Sequence, residues 1–385
     1  MCVGAYYNDM KVLVITSLLH EKSGLGRYAR AVIDHMRLAG VEVVVCSEEM
    51  RTDVAYPVVP LRPLTSRFPL VSFLRNCYRV RRAARGCTVV HALDGWPLCV
   101  YAAVAGVGNT RQVFSNGIGT YSVAPLYVAG KSLLLRWAYR RAQKIFCISA
   151  YVRQRLVDAG VVPEKLSVVH LGATVLPTPS STEVRECLQR YDLSTTAKII
   201  LTVGAIKSRK GQLVTLQAVE LLKKKYPDIC YVAAGASNTA SYVARMRDYA
   251  AAHHLVDNLR IIENADDTTI ACLYAASSVF ALNSYTNHAS HHFEGFGMVV
   301  IEAAQFGVPA VGSRGCGIED AILDGETGYL TEQENPQDIA NKIGRVLEQR
   351  DTFSQNALRW HAQFTWEKTV AAYIAAYRAA SVDAV

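Results

Sequence analysis

Three features are missing from this 385-residue chain, and each absence narrows what it can be. No stretch reaches the roughly 18 consecutive uncharged apolar residues that span a bilayer; the longest candidates, near 98–107 and 370–380, are short or broken by Arg378. The first apolar run, 12–19, leads into His20, Glu21 and Lys22 rather than into small residues around a cleavage site, so it reads as a buried strand and not a signal peptide. The ten cysteines form no Cys-x-x-Cys pair, and Cys46, Cys99, Cys147 and Cys230 sit in apolar runs. That is the usage of small buried thiols in a reducing compartment, not of zinc ligands or disulfides. The expectation is a cytoplasmic protein without structural zinc, in solution or peripheral on the inner face of a membrane.

Carboxylates are scarce in the first half. Residues 1–178 hold 22 Lys and Arg against 10 Asp and Glu, and the remainder 19 against 23, so the net charge of +8 belongs to the first half. Seven arginines between Arg62 and Arg85 alternate with Phe68, Leu70, Val71, Phe73, Leu74, Tyr78 and Val80. Between Pro69 and Gly86 this composition suits an interfacial helix, with Arg75, Arg79, Arg81 and Arg82 as the contacts to an anionic membrane surface. An amphipathic helix packed on its own domain is the other reading. No nucleic-acid-binding motif accompanies the charge, so nucleic acid is not an expected partner.

With 51% hydrophobic residues, the chain can bury two cores of roughly 150 to 200 residues each. The first opens with a strand-like run, 11–17, a helical pattern, 28–38, and a second strand, 41–46. Gly24-Leu-Gly26-Arg-Tyr-Ala29 matches the dinucleotide fingerprint and raises an NAD- or flavin-dependent oxidoreductase as a rival. However, Leu18–Ser23 separate the strand from the first glycine, whereas the fingerprint puts that glycine at the strand's end. Val89-Val-His-Ala-Leu-Asp-Gly95 places His91 and Asp94 at the carboxyl edge of another strand, where sites in open parallel sheets collect. Pro177, Pro179 and Ser180–Thr182 read as a linker.

A second α/β unit starts at Lys198–Val203 and runs through Gly204 to Lys207, Arg209, Lys210 and Gly211 before a helical pattern, 212–224. A strand, a glycine turn, three cations and a helix N-terminus make a diphosphate clamp. Farther on, Phe293-Glu-Gly-Phe-Gly-Met-Val-Val-Ile-Glu302 sets Glu294 before a helix, 298–306, and Glu302 about a turn and a half into it. Gly295 and Gly297 leave the backbone bare where the first helical N–H groups can face an anion. The arrangement suits a ligand with an anionic middle and hydroxyl-bearing ends, such as a nucleotide diphosphate sugar.

This last block, with 278–284 before it and 308–313, 315–319 and 324–330 after it, resembles the family 4 retaining glycosyltransferases of GT-B fold. The resemblance implies an α/β protein of two facing doubly wound domains with an interdomain cleft. The acceptor-binding domain would cover 1–178, and the nucleotide-sugar-binding domain 179–365. A tail helix within 366–385, carrying Trp366, Tyr373 and Tyr377, would cross back onto the first domain. It implies a retaining glycosyltransferase, of hexosyltransferase type, that moves a sugar from the donor to a hydroxyl on a glycan or lipid-linked acceptor, as in polysaccharide biosynthesis, by front-face substitution.

In that reading Glu294 faces the donor sugar and His91 joins it in catalysis. Gly24, Gly26, Lys207, Arg209, Lys210, Gly295, Phe296, Gly297 and Glu302 hold the donor, with Glu302 on the ribose. Asp94 and Asn116 line the acceptor side. The chain departs from the pattern at Asn116, where many relatives have His, at Leu171 in place of Asn, and at Ala205 in place of Arg. It also has a longer segment, 285–293, bearing His288, His291 and His292. Because the resemblance implies a diphosphate held by cations and helix dipoles with no metal or cofactor, it is read as a flexible or sugar-sensing loop rather than a metal site. A sugar-nucleotide epimerase or hydrolase, and a non-catalytic nucleotide-sugar-binding protein, are the remaining alternatives.

Overall fold

A computed structural model of the chain describes residues 10–20, 23–51, 53–65, 67–237 and 239–382. Glu21, Lys22 and the last three residues of the expected tail segment lie outside them. The chain divides into two compact units, residues 1–172 with 365–385, and residues 173–364.

The first unit begins with β1 (Lys11–Thr16), α1 (Gly24–Leu38), β2 (Glu42–Ser47), β3 (Val58–Pro60), α2 (Pro69–Ala83) and β4 (Val89–Ala92). It continues with α3 (Leu98–Gly106), β5 (Gln112–Gly117), α4 (Thr120–Val123), α5 (Lys131–Arg141), β6 (Lys144–Cys147), α6 (Ala150–Asp158) and β7 (Leu166–Val168). Its seven strands lie in the order β3-β2-β1-β4-β5-β6-β7, and every pair is parallel. Strands buried on both faces explain the near-continuous apolar runs such as Val12–Ile15.

The second unit holds α7 (Ser181–Arg190), β8 (Lys198–Val203), α8 (Gln212–Lys223), β9 (Ile229–Ala234), α9 (Ala240–Ala252), β10 (Leu259–Ile262) and α10 (Asp267–Ala276). It ends with β11 (Val279–Leu282), α11 (Met298–Gln305), β12 (Ala310–Ser313), β13 (Gly328–Thr331), α12 (Pro336–Glu348) and α13 (Arg350–His361). Six parallel strands run β10-β9-β8-β11-β12-β13. In both sheets the strand order reverses once, between β1 and β4 and between β8 and β11. In such sheets the carboxyl ends of the strands flanking the reversal form the crevice where ligands sit.

Helix α14 (Trp366–Val382) belongs to the first unit. The Thr369 hydroxyl donates to the His170 carbonyl at 2.8 Å, and the Trp366 ring lies 6.1 Å from that of Tyr28 on α1. The division at Gly172 lies earlier in the chain than the prolines suggest. The Ala173 amide already donates to Phe364, and Leu176 is held through both its backbone groups by the Gln305 amide of α11. Ser180, expected in a linker, instead N-caps α7 in a reciprocal capping box with Glu183.

Helix α2 forms over the span its composition suggested, but it docks unusually. Its buried positions are Ser72, Asn76 and Val80, spaced by four, whereas Phe68, Leu70, Val71, Leu74 and Tyr78 are exposed. Arg81, counted above among the membrane contacts, turns its guanidinium onto the carbonyls of Val104 and Val107 at the carboxyl end of α3, both at 3.0 Å. Among the described residues no helix is long and apolar enough to cross a membrane.

Candidate functional site

The second unit gathers its charged residues at the two strand ends that flank the reversal. Beyond β8 the chain makes a short turn, Ser208–Lys210, closed by Gly211 at φ 72°. A side chain at Gly211 would collide with the carbonyl of Asn283 just past β11, so only glycine lets the cation turn lie against that strand's end. Tyr285 fixes the turn from the other side: its amide donates to the Arg209 carbonyl at 3.0 Å, and its hydroxyl lies 3.0 Å from Ser208 Oγ.

Glu294, beyond β11, meets this turn. Its Oε2 lies 2.7 Å from Lys210 Nζ and 3.3 Å from an Arg209 guanidinium nitrogen, and Ser284 Oγ stands at 3.4 Å. The carboxylate is 15% exposed. Burial alone would raise its pKa, but Lys210 and Arg209 outweigh it and hold the group at about 2. Glu294 is therefore a permanent carboxylate and donates no proton near neutrality. Lys207 adds a third positive charge, and its pKa is lowered by desolvation and by its two cationic neighbours. Three cations thus surround one carboxylate, leaving a surplus of positive charge that an anionic ligand would relieve.

The segment after Glu294 is braced from below. Gly317 donates to the Glu294 carbonyl at 2.8 Å, and a Cβ at Gly317 would collide with the carbonyl of Gly295. Gly297, at φ 94°, caps α11, whose first amides have no partner within the helix and carry the positive end of its dipole. Glu302 is buried on α11 with the Tyr274 hydroxyl 3.3 Å from its Oε2. The Phe296 side chain is buried, its ring centroid 5.6 Å from that of Phe364, so a donor would meet only its backbone. Gly211 was legible in the sequence as the glycine ahead of the helical pattern; Asn283, Ser284 and Tyr285 were not, since no local motif marks them.

The segment 285–293 is a tight hairpin in which Asn287 and His292 exchange backbone hydrogen bonds at 2.8 and 3.1 Å. Among the described residues no group of three or more His, Cys, Asp or Glu is placed to hold a metal ion.

The first unit is different. His91 and Asn116 sit inside strands β4 and β5, fully buried, in a cluster with Tyr28, Tyr373 and Tyr377. His91 Nε2 donates to Asn116 Oδ1 at 2.6 Å and its Nδ1 accepts from Tyr377, while the Asn116 amide nitrogen donates to the hydroxyls of Tyr28 and Tyr373. Burial lowers the His91 pKa to about 4, so the ring is neutral. The expectation that His91 acts in catalysis and Asn116 lines the acceptor side is corrected: every nitrogen and oxygen of the pair is engaged inside the core.

Asp94 lies two residues past β4. Its Oδ1 accepts from the Gly95 amide at 2.6 Å and from Ser122 Oγ at 3.2 Å, and burial raises its pKa to about 7. Gly24 faces open space, but the place of a Gly26 side chain is taken by the His20 carbonyl. The loop before it is tied down by Glu49, whose Oε2 accepts from the amides of Leu19 and His20 at 2.8 and 2.9 Å. An internal carboxylate on these amides is unfavourable to a dinucleotide pyrophosphate, which weakens the oxidoreductase reading.

Two family models match the chain: Glycosyltransferase Family 4 over residues 22–175 and Glycosyl transferases group 1 over residues 184–360. Among curated proteins, the D-inositol 3-phosphate glycosyltransferase of Geodermatophilus obscurus is 30% identical over 201 residues, covering 51% of this chain and 43% of that protein. The corresponding protein of Mycolicibacterium vanbaalenii is 28% identical over 255 residues, covering 63% and 54%. The chain thus spans about half the length of the curated relatives it matches.

Among solved structures, a glycosyltransferase from Rickettsia africae superposes with a TM-score of 0.80 at 18% identity, covering 97% of this chain and 99% of that one. HepE from Anabaena, in complex with UDP-glucose, superposes with a TM-score of 0.76 at 19% identity, covering 95% and 99%. The fold is GT-B, and the chain belongs to glycosyltransferase family 4.

Proposed function

We propose that the protein transfers a sugar from a nucleotide diphosphate donor to a hydroxyl of a glycan or lipid-linked acceptor, with retention of configuration. One observation carries this reading: the permanent carboxylate of Glu294 held by Lys210 and Arg209 in front of the N-terminus of α11. The diphosphate would take the place nearest the surplus charge, against Lys207, Arg209, Lys210 and the first amides of α11. Those groups stabilise the leaving charge as the bond between the sugar C1 and the diphosphate oxygen breaks. Glu294, unable to act as an acid, holds the donor sugar and stabilises positive charge developing at C1. The buried end of Glu302 is assigned to the ribose hydroxyls.

In a front-face substitution the acceptor oxygen forms the new bond on the side the diphosphate leaves, and its proton passes to the departing phosphate oxygen. No lasting bond to the protein forms. We assign acceptor recognition to the first unit, with Asp94 as its polar contact, and a cytoplasmic workplace where nucleotide sugars are made. The presence of UDP-glucose in the HepE structure supports a sugar-nucleotide donor and recommends UDP-sugars as the first to test.

The test is a thermal-shift screen against UDP-, GDP-, ADP- and dTDP-sugars with NAD and NADP, followed by donor turnover with and without candidate acceptors. A ligand that binds only the folded state raises Tm according to its concentration over Kd. A rise with one sugar nucleotide and acceptor-dependent turnover are expected. Turnover without acceptor would make the protein a hydrolase or epimerase; binding without turnover, a non-catalytic receptor; and a rise with NAD alone would overturn the reading.

A further inference from the structure

The surface of α2 is the reverse of an ordinary amphipathic helix. Two of its three buried residues, Ser72 and Asn76, are polar, while Phe68, Leu70, Leu74 and Tyr78 at and beyond its start are 63%, 69%, 59% and 65% exposed. Leaving side chains of this size in water forgoes the favourable free energy of burying them. Contiguous exposed apolar residues of this kind mark an interaction surface.

Beside that apolar face runs an open groove of about 850 Å³ between α2 and β3, lined by Val59, Arg62, Leu74, Arg75, Tyr78, Arg79, Arg82 and Ala83. Four arginines therefore line one concavity. Among the described residues none of the four pairs with a carboxylate. Arg79 donates to the Pro60 carbonyl at 2.7 Å, while among the described residues the guanidinium groups of Arg62, Arg75 and Arg82 have no hydrogen-bond acceptor.

The convergence is built, not incidental. Arg62 comes from the segment after β3, and buried Asn76 clamps it there: Asn76 Oδ1 accepts from the Arg62 amide at 2.9 Å, and Asn76 Nδ2 donates to the Arg62 carbonyl at 2.8 Å. The only polar side chain that α2 buries completely thus serves to bring a fourth arginine beside three others. The local charge offers no relief. Between residues 54 and 157 the chain holds fifteen Lys and Arg and a single carboxylate, Asp94, which is buried two residues past β4.

We infer that this groove is a binding site for the phosphate of an anionic phospholipid headgroup, and that α2 docks the protein on an anionic bilayer with Phe68, Leu70, Val71, Leu74 and Tyr78 entering the headgroup layer. The shared chemistry is a phosphate anion. The bilayer, rather than a soluble phosphate, is selected by the apolar side chains that rim the arginines, since a soluble anion gives them nothing to bury against. The inference is independent of the transfer reaction: membrane docking without transfer, or transfer without docking, would separate the two.

The experiment is co-sedimentation of the full chain with phosphatidylcholine vesicles, with and without 30% phosphatidylglycerol, at two salt concentrations. Two variants run alongside, R62Q/R75Q/R82Q and L70S/L74S/Y78S, and each is checked for an unchanged Tm. Strong partition is expected onto the anionic vesicles alone, weakened by salt. At roughly fivefold per arginine near an anionic surface, the triple arginine variant should lose on the order of 100-fold in partition. The serine variant should also release, because the apolar side chains share the anchoring. Equal partition onto neutral vesicles, no partition onto anionic ones, or variants that partition like the parent would each overturn the docking. Release by millimolar glycerol 3-phosphate at matched ionic strength would assign the groove to a soluble phosphate and overturn the bilayer.

Discussion

The carboxyl edges of the two sheets present polar residues in similar numbers, yet they use them oppositely. At the edge of the second unit, Lys207, Arg209, Lys210 and Glu294 stand in turns beyond the last residues of β8 and β11, charged and partly open to solvent, with Arg209 and Lys210 paired to Glu294. In the first unit, His91 and Asn116 stand within β4 and β5, neutral and wholly buried under Tyr373 and Tyr377 of α14. Position relative to the strand's end decides the outcome. A residue past the end is free of the ladder and can face a ligand, whereas one inside it, in a sheet covered on both faces, must find its partners in the core. The first edge therefore offers structure where the second offers chemistry, with Asp94 as the exception.

Removing charge at the second edge sharpens this contrast most. Glu294→Gln keeps the shape and deletes the charge, so it should reduce transfer by about 10² to 10³, the loss typical of a group aimed at developing charge. Lys210 and Arg209 lose their competitor for the diphosphate, so nucleotide affinity should hold or tighten. Steady-state turnover together with calorimetric titration of the nucleoside diphosphate reads both quantities. A parallel loss of binding and turnover would give Glu294 a role in holding the donor alone.

At the first edge the same kind of deletion should act on stability and spare turnover. Asn116→Leu leaves the buried His91 N–H without its acceptor and removes one partner each from the hydroxyls of Tyr28 and Tyr373. Each buried group left without a partner costs about 1 to 3 kcal/mol, so Tm should fall by several degrees. Below that Tm, kcat per folded molecule should stay near that of the parent. A selective loss of kcat at unchanged Tm would break the comparison and return Asn116 to the reacting centre.

The sequence made one of these edges readable and hid the other. An apolar strand, Gly204, three cations and a helical pattern follow one another within thirty residues, and local order is enough to join them. The same holds for Glu294, Gly297 and the start of α11. The burial of His91 depends on Tyr377, 286 residues away in the chain, and that of Asn116 on Tyr373, 257 residues away. No local pattern announces such partners, so a histidine near a strand's end looks like a ligand when it is a core group. Gly26 shows a requirement set within its own loop: its lack of a side chain makes room for the His20 carbonyl. The reciprocal cap of Ser180 and Glu183, by contrast, was legible as Ser-x-x-Glu and was passed over because two prolines precede it.

Asp94 gives the smallest effect and the finest test of where the first edge belongs. Its carboxyl is raised from the ordinary 3.8 to about 7 by burial, against the partial relief of the Gly95 amide and Ser122. A carboxyl raised on folding binds its proton more tightly in the native state, so its contribution to stability is complete below about 4 and is lost as pH rises towards 7. His91, held at about 4 by burial, contributes with the opposite sign, its stability being lost as pH falls below the ordinary 6.5. The two slopes oppose each other in the parent, and a melting curve against pH would hide both. Asp94→Asn removes only the first, so the difference in Tm between parent and variant isolates it. That difference should decline in the parent's disfavour from pH 4 to pH 7 and be level above. A difference flat across this window would mean that Asp94 is already ionised and hydrated, which would make the first edge as open to ligand as the second.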